Sequence, residues 1–468
     1  MKKFIFLVAF TLALLSYFLI ESQSYKLKIE DYPNVTSIKK QKWGTCWAFS
    51  TIAALESNIL ISKLSHTTDL SEYHLDKYNG FNRNGRIDDP SDDWFTTQGE
   101  GFQGSNLDNP NEGVMVHLGG DYTVSAAYLS GTMGAVEESK TPSLSSLTPI
   151  EDFGNTSNSG ILFKNNYTYV YPQKILWLTK DGTDLEKRNR IKDAINKYGA
   201  VASAQFMEET PYKIIDNTEV HLNLTSKEPN HAITIVGWRD DIKINNQMGA
   251  WVVKDSDHID EKTGEKVGLF YIPYSDLITG KDENLGGVIF TDIKVRDENT
   301  NIYNHALHGW QYDFKNKQEI KNIYQIRSKE RMQAVGVYAV NKNEDIEIDL
   351  VINNKKIESI KYTTTYPGFY YIPVKQIDLN NGDKVEIIQK NKSNTYALDS
   401  SFWLKILLTG EENKLRPQWV DSKASMNQSF YMKDQKWHDL TKKTNNSSQV
   451  LFKNANFPII LYTITYDK

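Results

Sequence analysis

Hydrophobic positions in the first half of the chain follow helical spacing early and strand-like spacing later. Apolar residues recur at helical spacing over 46–63 (CWAFSTIAALESNILISK), which predicts a largely buried helix with Cys46 in its first turn. Two further helices are predicted over 121–129 and over 184–197, the second ending near Gly199. Strand-like runs follow at 200–206, 232–238, 250–254 and 269–273. This order predicts an α+β domain.

The second half consists of short alternating segments separated by turn residues. The predicted strands lie at 335–340, 346–352, 355–363, 368–373, 384–389, 402–408 and 459–465. The Asn-Gly pair at 381–382 is a hairpin signal. An all-β sandwich of two packed sheets is therefore expected. We place the first domain at 25–289 and the all-β domain at 290–468.

The N-terminal residues have the pattern of an export signal. Lys2 and Lys3 precede an uncharged, mostly apolar run over 4–20. Small residues would allow cleavage after Ser24, but there is no clear A-x-A site, so an uncleaved membrane anchor stays open. We therefore treat 1–24 as a signal peptide or anchor and expect a secreted or cell-surface protein.

Composition narrows the class of protein. The chain has 468 residues, 39% hydrophobic and 24% charged, which is typical of folded soluble proteins. Its net charge of −5 and the lack of a dense basic run exclude nucleic acid as an expected partner. The single cysteine, Cys46, excludes an intrachain disulfide and a multi-cysteine metal site. A free thiol in an exported protein needs a chemical reason.

Three residues could supply that chemistry together. Cys46 at a helix start is placed to be stabilised as a thiolate by the unpaired N–H groups and the helix dipole. His231 stands at the mouth of a strand-like run and could act as its base. Asp255 ends the next strand and could orient the imidazole. Taken singly, each has a simpler reading, as a core cysteine, a hydrogen-bonded or surface histidine, and a strand-end residue.

The segments around these residues carry a family resemblance. QKWGTCWAFSTIAALES at 41–57 and NHAITIVGW at 230–238 are similar to the nucleophile segment and the histidine strand of papain-like (C1 family) cysteine peptidases. GAWVVKDS at 249–256 is similar to the strand that ends in the third catalytic residue. Further matching segments in the same order are DLSEYHL at 69–75, GGDYTVSAAYL at 119–129 and GLFYIPY at 268–274.

The all-β tail also resembles a known module. GWQYDF at 309–314 and GFYYIPV at 368–374 are similar to the lectin-like domain that accompanies papain-like peptidases in some bacterial and archaeal secreted proteins. The two resemblances imply a two-lobed peptidase, with a helical and a β lobe, followed by an all-β lectin-like sandwich. A lysine-for-arginine bias and the absence of disulfides also suggest a bacterial protein.

The resemblance implies catalytic roles for four residues. Cys46 would attack the peptide carbonyl as a thiolate, with His231 as its imidazolium partner and proton donor to the leaving amine. Asp255 would orient His231, and Gln41 would donate to the oxyanion beside the backbone N–H of Cys46.

The resemblance also implies a substrate groove. Substrate binding is assigned to Gly44, Gly119, Gly120 and Asn230, with the paired glycines hydrogen-bonding the backbone of an extended protein or peptide substrate. The chemistry needs no metal and no cofactor, and neither is expected. A calcium site in the lectin-like domain stays open.

One departure from the family pattern concerns the oxyanion hole. The family glutamine stands six residues before the cysteine, whereas Gln41 stands five before Cys46. A residue is therefore missing between Gln41 and Gly44, and we expect this loop to aim Gln41 less well.

Two other departures concern the histidine partner. Asp255 replaces the usual asparagine, which would favour the imidazolium form of His231 and shift the pH profile. The usual tryptophan after Ser256 is replaced by Asp257, so we expect a wetter and weaker His231 pair.

Regulation would need an unusual source. The stretch between Ser24 and Cys46 is too short for a propeptide of the usual length. Latency would have to come from the long 79–117 region or from the β domain packing across the cleft.

Two alternative functions remain open at this point. A transglutaminase-like acyl transferase also uses Cys, His and Asp in this order, and Asp255 favours it. Alternatively, a weak or inactive peptidase domain could be the scaffold of an adhesion protein whose β domain binds cell-surface carbohydrate. Its sugar-stacking aromatics would be Trp310, Tyr312, Trp419 and Trp437, although such residues are more often part of a core.

Overall fold

A computed structural model describes most of the chain. The described residues are 27–41, 43–64, 69–81, 114, 117, 119–141, 168–207, 212–215, 218–226, 228–244, 246–257, 268–407, 418–443, 452 and 454–466. The predicted signal at 1–24 and most of the predicted surface loop at 79–110 lie outside these ranges. Within them, we find no helix with the length and apolar character needed to span a bilayer.

The helices lie mainly in the first half of the chain. The α-helices are α1 Cys46–Ser62, α2 Glu72–Lys77, α3 Tyr122–Gly131 and α4 Asp184–Tyr198. Short 3-10 helices lie at Ile29–Asp31, Glu138–Lys140 and Leu440–Lys442. The three helices predicted from the sequence are confirmed. The short helix α2 was not predicted from the hydrophobic pattern.

Helix α1 is buried on all sides, and its ends follow local chemistry. Every residue from Cys46 to Ile59 is buried. The helix stops at Lys63, which takes a left-handed conformation with φ 53° and donates its N–H to the Ile59 and Leu60 carbonyls. Because it is buried on all sides, α1 lies inside the core rather than on the surface, and its polar side chains such as Ser50 and Glu56 are buried with it.

Helix α4 carries the strongest sequence signals for its ends. Thr183 and Glu186 form a reciprocal capping box at its start. Gly199 follows its last residue with φ 94°, a conformation that favours glycine. The predicted end near Gly199 is therefore correct.

Strands make up most of the remaining structure. In the first half they are β1 Ala135–Val136, β2 Tyr169–Trp177, β3 Val201–Gln205, β4 Tyr212–Ile215, β5 Thr218–His221, β6 His231–Ile244, β7 Gln247–Lys254, β8 Leu269–Pro273 and β9 Val288–Val295. In the second half they are β10 Thr300–Tyr303, β11 Tyr312–Lys315, β12 Ile320–Gln325, β13 Glu330–Ala339, β14 Asp345–Ile352, β15 Lys355–Thr363, β16 Gly368–Pro373, β17 Asp378–Leu379, β18 Lys384–Asn391, β19 Thr395–Leu398, β20 Phe402–Leu404, β21 Gln418–Val420, β22 Ser429–Lys433, β23 Lys436–Asp439 and β24 Ile460–Thr465.

One large sheet runs through both halves of the molecule. Its order is β10-β24-β13-β16-β2-β9-β3-β6-β7-β8-β5-β4. Strand β16 pairs antiparallel with β2, with Gly368 opposite Leu176 and Tyr370 opposite Lys174. The second-half strands therefore extend the sheet of the first half edge to edge.

A second sheet completes the predicted sandwich. Its order is β15-β14-β18-β12-β22-β23. Ile348 and Ile387 of this sheet share one apolar core with Val335, Val337 and Leu461 of the large sheet. The expected sandwich of two packed sheets is confirmed, and one of its sheets is shared with the first half.

Some sequence expectations differ from the structure. The Asn-Gly pair at 381–382 does not form a hairpin, because β17 pairs with β13 whereas β18 pairs with β12 and β14. Instead, a two-residue hairpin joins β14 to β15 at Asn353 and Asn354, both with positive φ. The run predicted at 402–408 forms a strand only over β20. Residue 290, the predicted domain boundary, lies inside β9, and the domain bounds stay a prediction.

Candidate active site

The predicted nucleophile stands at the start of the central helix. Cys46 is the first residue of α1 and is 2% exposed. The N–H groups of the first helical turn have no partner within the helix, and the positive end of the helix dipole lies there. Cys46 therefore stands at the positive end of α1.

Side-chain hydrogen bonds hold α1 against the strand that begins with His231. The Ser50 hydroxyl, one turn beyond Cys46, donates to the Ile233 carbonyl at 2.7 Å. The Thr234 hydroxyl donates to Ser50 Oγ at 3.2 Å. The first turn of α1 and the first residues of β6 are thus fixed to each other, which brings Cys46 and His231 together.

His231 is paired with Asp255 on the neighbouring strand. Its Nε2 lies 2.9 Å from Asp255 Oδ1, and the two side chains are 1% and 0% exposed. Burial lowers the pKa of His231, but the charge of Asp255 and the charge and hydrogen bond of Cys46 outweigh it and raise this pKa well above its usual range. The imidazole is therefore held as an imidazolium between the carboxylate and the sulfur.

Backbone contacts fix Asp255 beyond the end of β7. Its N–H donates to the Gly268 carbonyl at 2.8 Å, and its Oδ1 accepts the N–H of Asp257 at 2.9 Å. The expectation of a wetter pair is wrong, because both side chains are buried and directly bonded. The expected weaker bond stays a prediction.

Gln41 is held by the residue that follows Asp255. The Ser256 hydroxyl donates to Gln41 Oε1 at 2.7 Å, and Gln41 Nε2 donates to the Trp43 carbonyl at 3.2 Å. The N–H of Gln41 also donates to the Ser256 carbonyl at 3.0 Å. Trp43 has a left-handed φ of 57°. The Gln41 amide is thus held and buried, and its aim at the oxyanion stays a prediction.

The predicted glycines lie on one continuous wall. The N–H of Gly44 donates to the His117 carbonyl at 2.9 Å, and the N–H of Gly119 donates to the Gly44 carbonyl at 2.8 Å. A Cβ added to Gly120 would lie 2.5 Å from the Trp47 ring, so the chain passes directly over the residue next to Cys46. The structure brings these three glycines together beside the helix start.

Asn230 is engaged by the main chain. Its Oδ1 accepts the N–H of Met207 at 2.7 Å, and its Nδ2 donates to the Met207 carbonyl at 3.0 Å. These bonds anchor the residue just before His231. A role of Asn230 in binding substrate stays a prediction.

Two features of the site were not assigned from the sequence. Ser256 was part of a quoted motif, but its bond to Gln41 depends on two segments meeting in space. His117 is buried, its Nδ1 lies 2.5 Å from Asp76 Oδ2, and its ring stacks on Trp43 with centroids 4.5 Å apart. Its position shortly before the paired glycines was the available signal.

Comparisons with known families agree with this geometry. Residues 24–94 match the family model described as papain family cysteine protease. Residues 302–455 match the family model described as lectin like domain. None of the curated protein sequences matches the chain significantly.

The chain is also similar to solved structures of a clostridial cysteine protease, Cwp84. One, after propeptide cleavage, is 21% identical with a TM-score of 0.67, covering 94% of this chain and 99% of that chain. Another contains the cysteine protease and lectin-like domains of Cwp84, described as a surface layer associated protein of Clostridium difficile. It has the same identity and TM-score, covering 94% of this chain and 88% of that chain.

At this identity the structural likeness shows the fold. The predicted fold class, a papain-like peptidase followed by an all-β lectin-like domain, is confirmed. With the two family matches, the resemblance to papain-like cysteine peptidases and the predicted enzyme class, a cysteine-type peptidase, are confirmed as well.

Proposed function

We propose that the chain is a secreted cysteine endopeptidase that cleaves protein or peptide substrates. In this proposal Cys46 is the nucleophile, His231 the general acid and base, Asp255 its orienting partner and Gln41 an oxyanion donor. The observation that carries the proposal is the buried His231–Asp255 pair, with Nε2 and Oδ1 2.9 Å apart, at the start of the helix that bears Cys46.

Each residue has one step to perform. The Cys46 thiolate attacks the carbonyl carbon, and the N–H groups of Gln41 Nε2 and the Cys46 backbone stabilise the oxyanion. His231 gives its proton to the leaving amine, so the C–N bond breaks and a thioester remains. A water then attacks the thioester, His231 takes its proton, and the acid product leaves Cys46 as a thiolate.

Labelling of the thiol tests the nucleophile directly. We expect iodoacetamide to alkylate Cys46 at neutral pH, and we expect His231→Ala to slow this labelling because the imidazolium no longer stabilises the thiolate. Cys46→Ala should abolish both labelling and peptide hydrolysis. A folded wild-type protein that is not labelled at neutral pH would overturn the proposal.

Product analysis separates a peptidase from an acyl transferase. Hydrolysis releases new amino termini, whereas an acyl transferase incorporates an added amine into glutamine side chains. We expect new amino termini from a protein substrate and no incorporation of a fluorescent amine. The reverse result would favour the transglutaminase-like alternative.

The proposed location is the cell exterior or cell surface. It is supported by the signal-like residues 1–24 and by the description of Cwp84 as surface layer associated. Fractionation of cells that express the full chain would test it, with the protein expected in the medium or on the surface. Recovery of the protein only from the cytosol would contradict this part of the proposal.

The lectin-like domain is a candidate for binding carbohydrate at that surface. Trp403 is 51% exposed, and its ring contacts that of Trp419 edge to face with centroids 5.2 Å apart. Such a pair offers a flat apolar face to a sugar ring. We expect oligosaccharides of the cell wall to quench the tryptophan fluorescence and Trp419→Ala to remove that response. An unchanged response would exclude this pair as the carbohydrate site.

A further inference from the structure

A short segment of the lectin-like domain reaches the glycine wall of the candidate active site. We call residues 402–407 the strap. The N–H of Leu407 donates to the Gly120 carbonyl at 2.9 Å. A Cβ added to Gly119 would lie 2.9 Å from both Ile406 Cδ1 and the Leu407 carbonyl oxygen, so the two backbones are in direct contact.

The same segment also contacts the loop that leads into β6. Lys405 Nζ lies 2.9 Å from Glu228 Oε2. Glu228 shortly precedes Asn230 and His231 on that loop. The strap therefore touches both the loop before the predicted base and the wall beside the predicted nucleophile.

The strap is a fixed part of the fold. Phe402, Leu404, Ile406 and Leu407 are at most 4% exposed and belong to the core cluster that contains Cys46 and Trp47. Strand β20 within it pairs with β21. Burial of apolar side chains stabilises a fold in proportion to the area removed from water, so lifting four of them out of the core would cost more free energy than a substrate contact returns.

A cavity of about 1120 Å³ is lined in part by the strap. Both domains line it, with Asp121, Glu228 and Pro229 from the peptidase and Trp403, Leu404 and Lys405 from the strap among its walls. Its ionisable walls are five carboxylates and three lysines. A peptide side chain that entered this cavity would meet an exposed indole and an excess of negative charge.

We propose that the strap is a wall of the substrate cleft and that Trp403 and Lys405 determine specificity for the part of the substrate that lies along Gly119 and Gly120. This rests on the proposed function. The Gly120 carbonyl already accepts the N–H of Leu407 and is not available to the substrate backbone. Beside Gly120 the substrate is therefore bound through its side chains, which enter the cavity. The excess of carboxylates selects basic side chains.

Binding to a catalytically silent protein tests the strap independently of catalysis. The full chain with Cys46→Ala is titrated with two sets of labelled peptides that carry either lysine or glutamate at each position in turn. We expect lysine peptides to bind more tightly. Lys405→Glu should raise their affinity severalfold and lower that of glutamate peptides, and Trp403→Ala should lower the affinity for both by about fivefold or more.

Matched controls separate a local effect from a general charge effect. Lys392→Glu makes the same charge change at a side chain that is 76% exposed and does not line the cavity. Met426→Ala removes another exposed apolar side chain of the same domain, 63% exposed and also outside the cavity. Both should leave peptide binding unchanged, and each folded variant is verified by its thermal transition.

Two outcomes would overturn the proposal. One is equal peptide affinity in the Trp403→Ala, Lys405→Glu and control variants, and the other is an equal shift in Lys405→Glu and Lys392→Glu. Failure of the proposed function looks different, because peptides would still bind with the expected pattern while wild-type Cys46 remained unlabelled. In the active wild type, the same substitutions should change cleavage preference on one side of the scissile bond only.

Discussion

Asp255 is the residue that sets the charge of the predicted base. Its carboxylate raises the pKa of His231 above the usual range against the opposing effect of burial. In the proposed mechanism the active form holds an imidazolium, so activity is lost as pH rises through this pKa. We expect Asp255→Asn to move the alkaline limb of kcat/KM to lower pH by about 1 to 3 units, the usual effect of removing an adjacent opposite charge.

The same substitution has a signed effect on stability. A histidine whose pKa is raised in the folded state stabilises the fold fully below its unfolded value of about 6.5, and this contribution is lost as pH rises through the folded value. Urea denaturation should therefore show a larger loss of unfolding free energy in Asp255→Asn at pH 6 than at pH 9. An equal loss at both values would mean that His231 is neutral in the folded protein.

Gln41 and Ser256 give a second prediction at this scale. Gln41→Ala should lower kcat by roughly a hundredfold with little change in KM, because an oxyanion donor acts mainly in the transition state. Ser256→Ala should lower kcat less, since it removes only the bond that fixes the Gln41 amide. Equal activity of the Gln41→Ala variant and the wild type would exclude Gln41 from the oxyanion hole.

The residue scale also shows the limit of reading motifs. Short patterns located Cys46, His231 and Asp255, since their types and neighbours are set by the chemistry of the site. They did not predict the dry environment of the pair, because burial depends on how β6, β7 and β8 pack rather than on the next residue in the chain. Ser256 acquires a partner only when its strand end meets Gln41.

At the scale of elements, helix α1 and the glycine wall are packed without free space. A Cβ at Gly120 would lie 2.5 Å from the Trp47 ring. Because this ring is buried in the core, it cannot move aside to make room. We expect Gly120→Ala to cost about 1–3 kcal/mol of unfolding free energy, the usual range for overpacking. Because Trp47 follows Cys46, iodoacetamide labelling of the thiol should slow as well.

Gly382→Ala is the matched control for that prediction. Apart from its own chain neighbours, no atom lies within 4 Å of a Cβ added to Gly382. The φ of 90° at this position means that the substitution introduces backbone strain but no steric clash. It should cost about 1 kcal/mol and leave Cys46 labelling unchanged. A Gly120→Ala variant as stable as wild type would mean that the wall can move away from α1.

Elements were predicted well where one segment carries its own signal. The spacing of α1 and the capping residues of α4 are local, and so is the alternating run of β15. Strands β2 and β9 were missed, although their pairing with each other lies at the centre of the large sheet. The hairpin predicted at the Asn-Gly pair was wrong for a similar reason. The pairing of strands depends on the whole sheet and not on the turn residues alone.

At the scale of the molecule, the two domains share a sheet and a core. Strand β16 pairs with β2, and Tyr338, Phe369 and Phe402 belong to the same apolar cluster as Cys46. A chain ending at residue 289 would expose an unpaired sheet edge and this apolar surface. We expect such a chain to be insoluble or unfolded.

Calorimetry of the full chain provides the companion measurement. A single cooperative transition is expected, because neither half buries its core alone. Two separated transitions, together with a soluble and active 25–289 fragment, would show that the halves are independent. The predicted domain bounds would then describe folding units as well as a change in sequence pattern.

The pairing of β2 with β16 also limits the order in which the protein can fold during its synthesis. The chain emerges from its N-terminus, so β2 appears long before its partner at Gly368–Pro373. At the usual rate of translation the interval is roughly ten to forty seconds, and the strap emerges later still. Cys46 and His231 are made early, whereas the strap that we propose as a wall of their groove comes much later in the chain. Under that proposal, the nascent peptidase lacks a complete substrate cleft until the strap has left the ribosome.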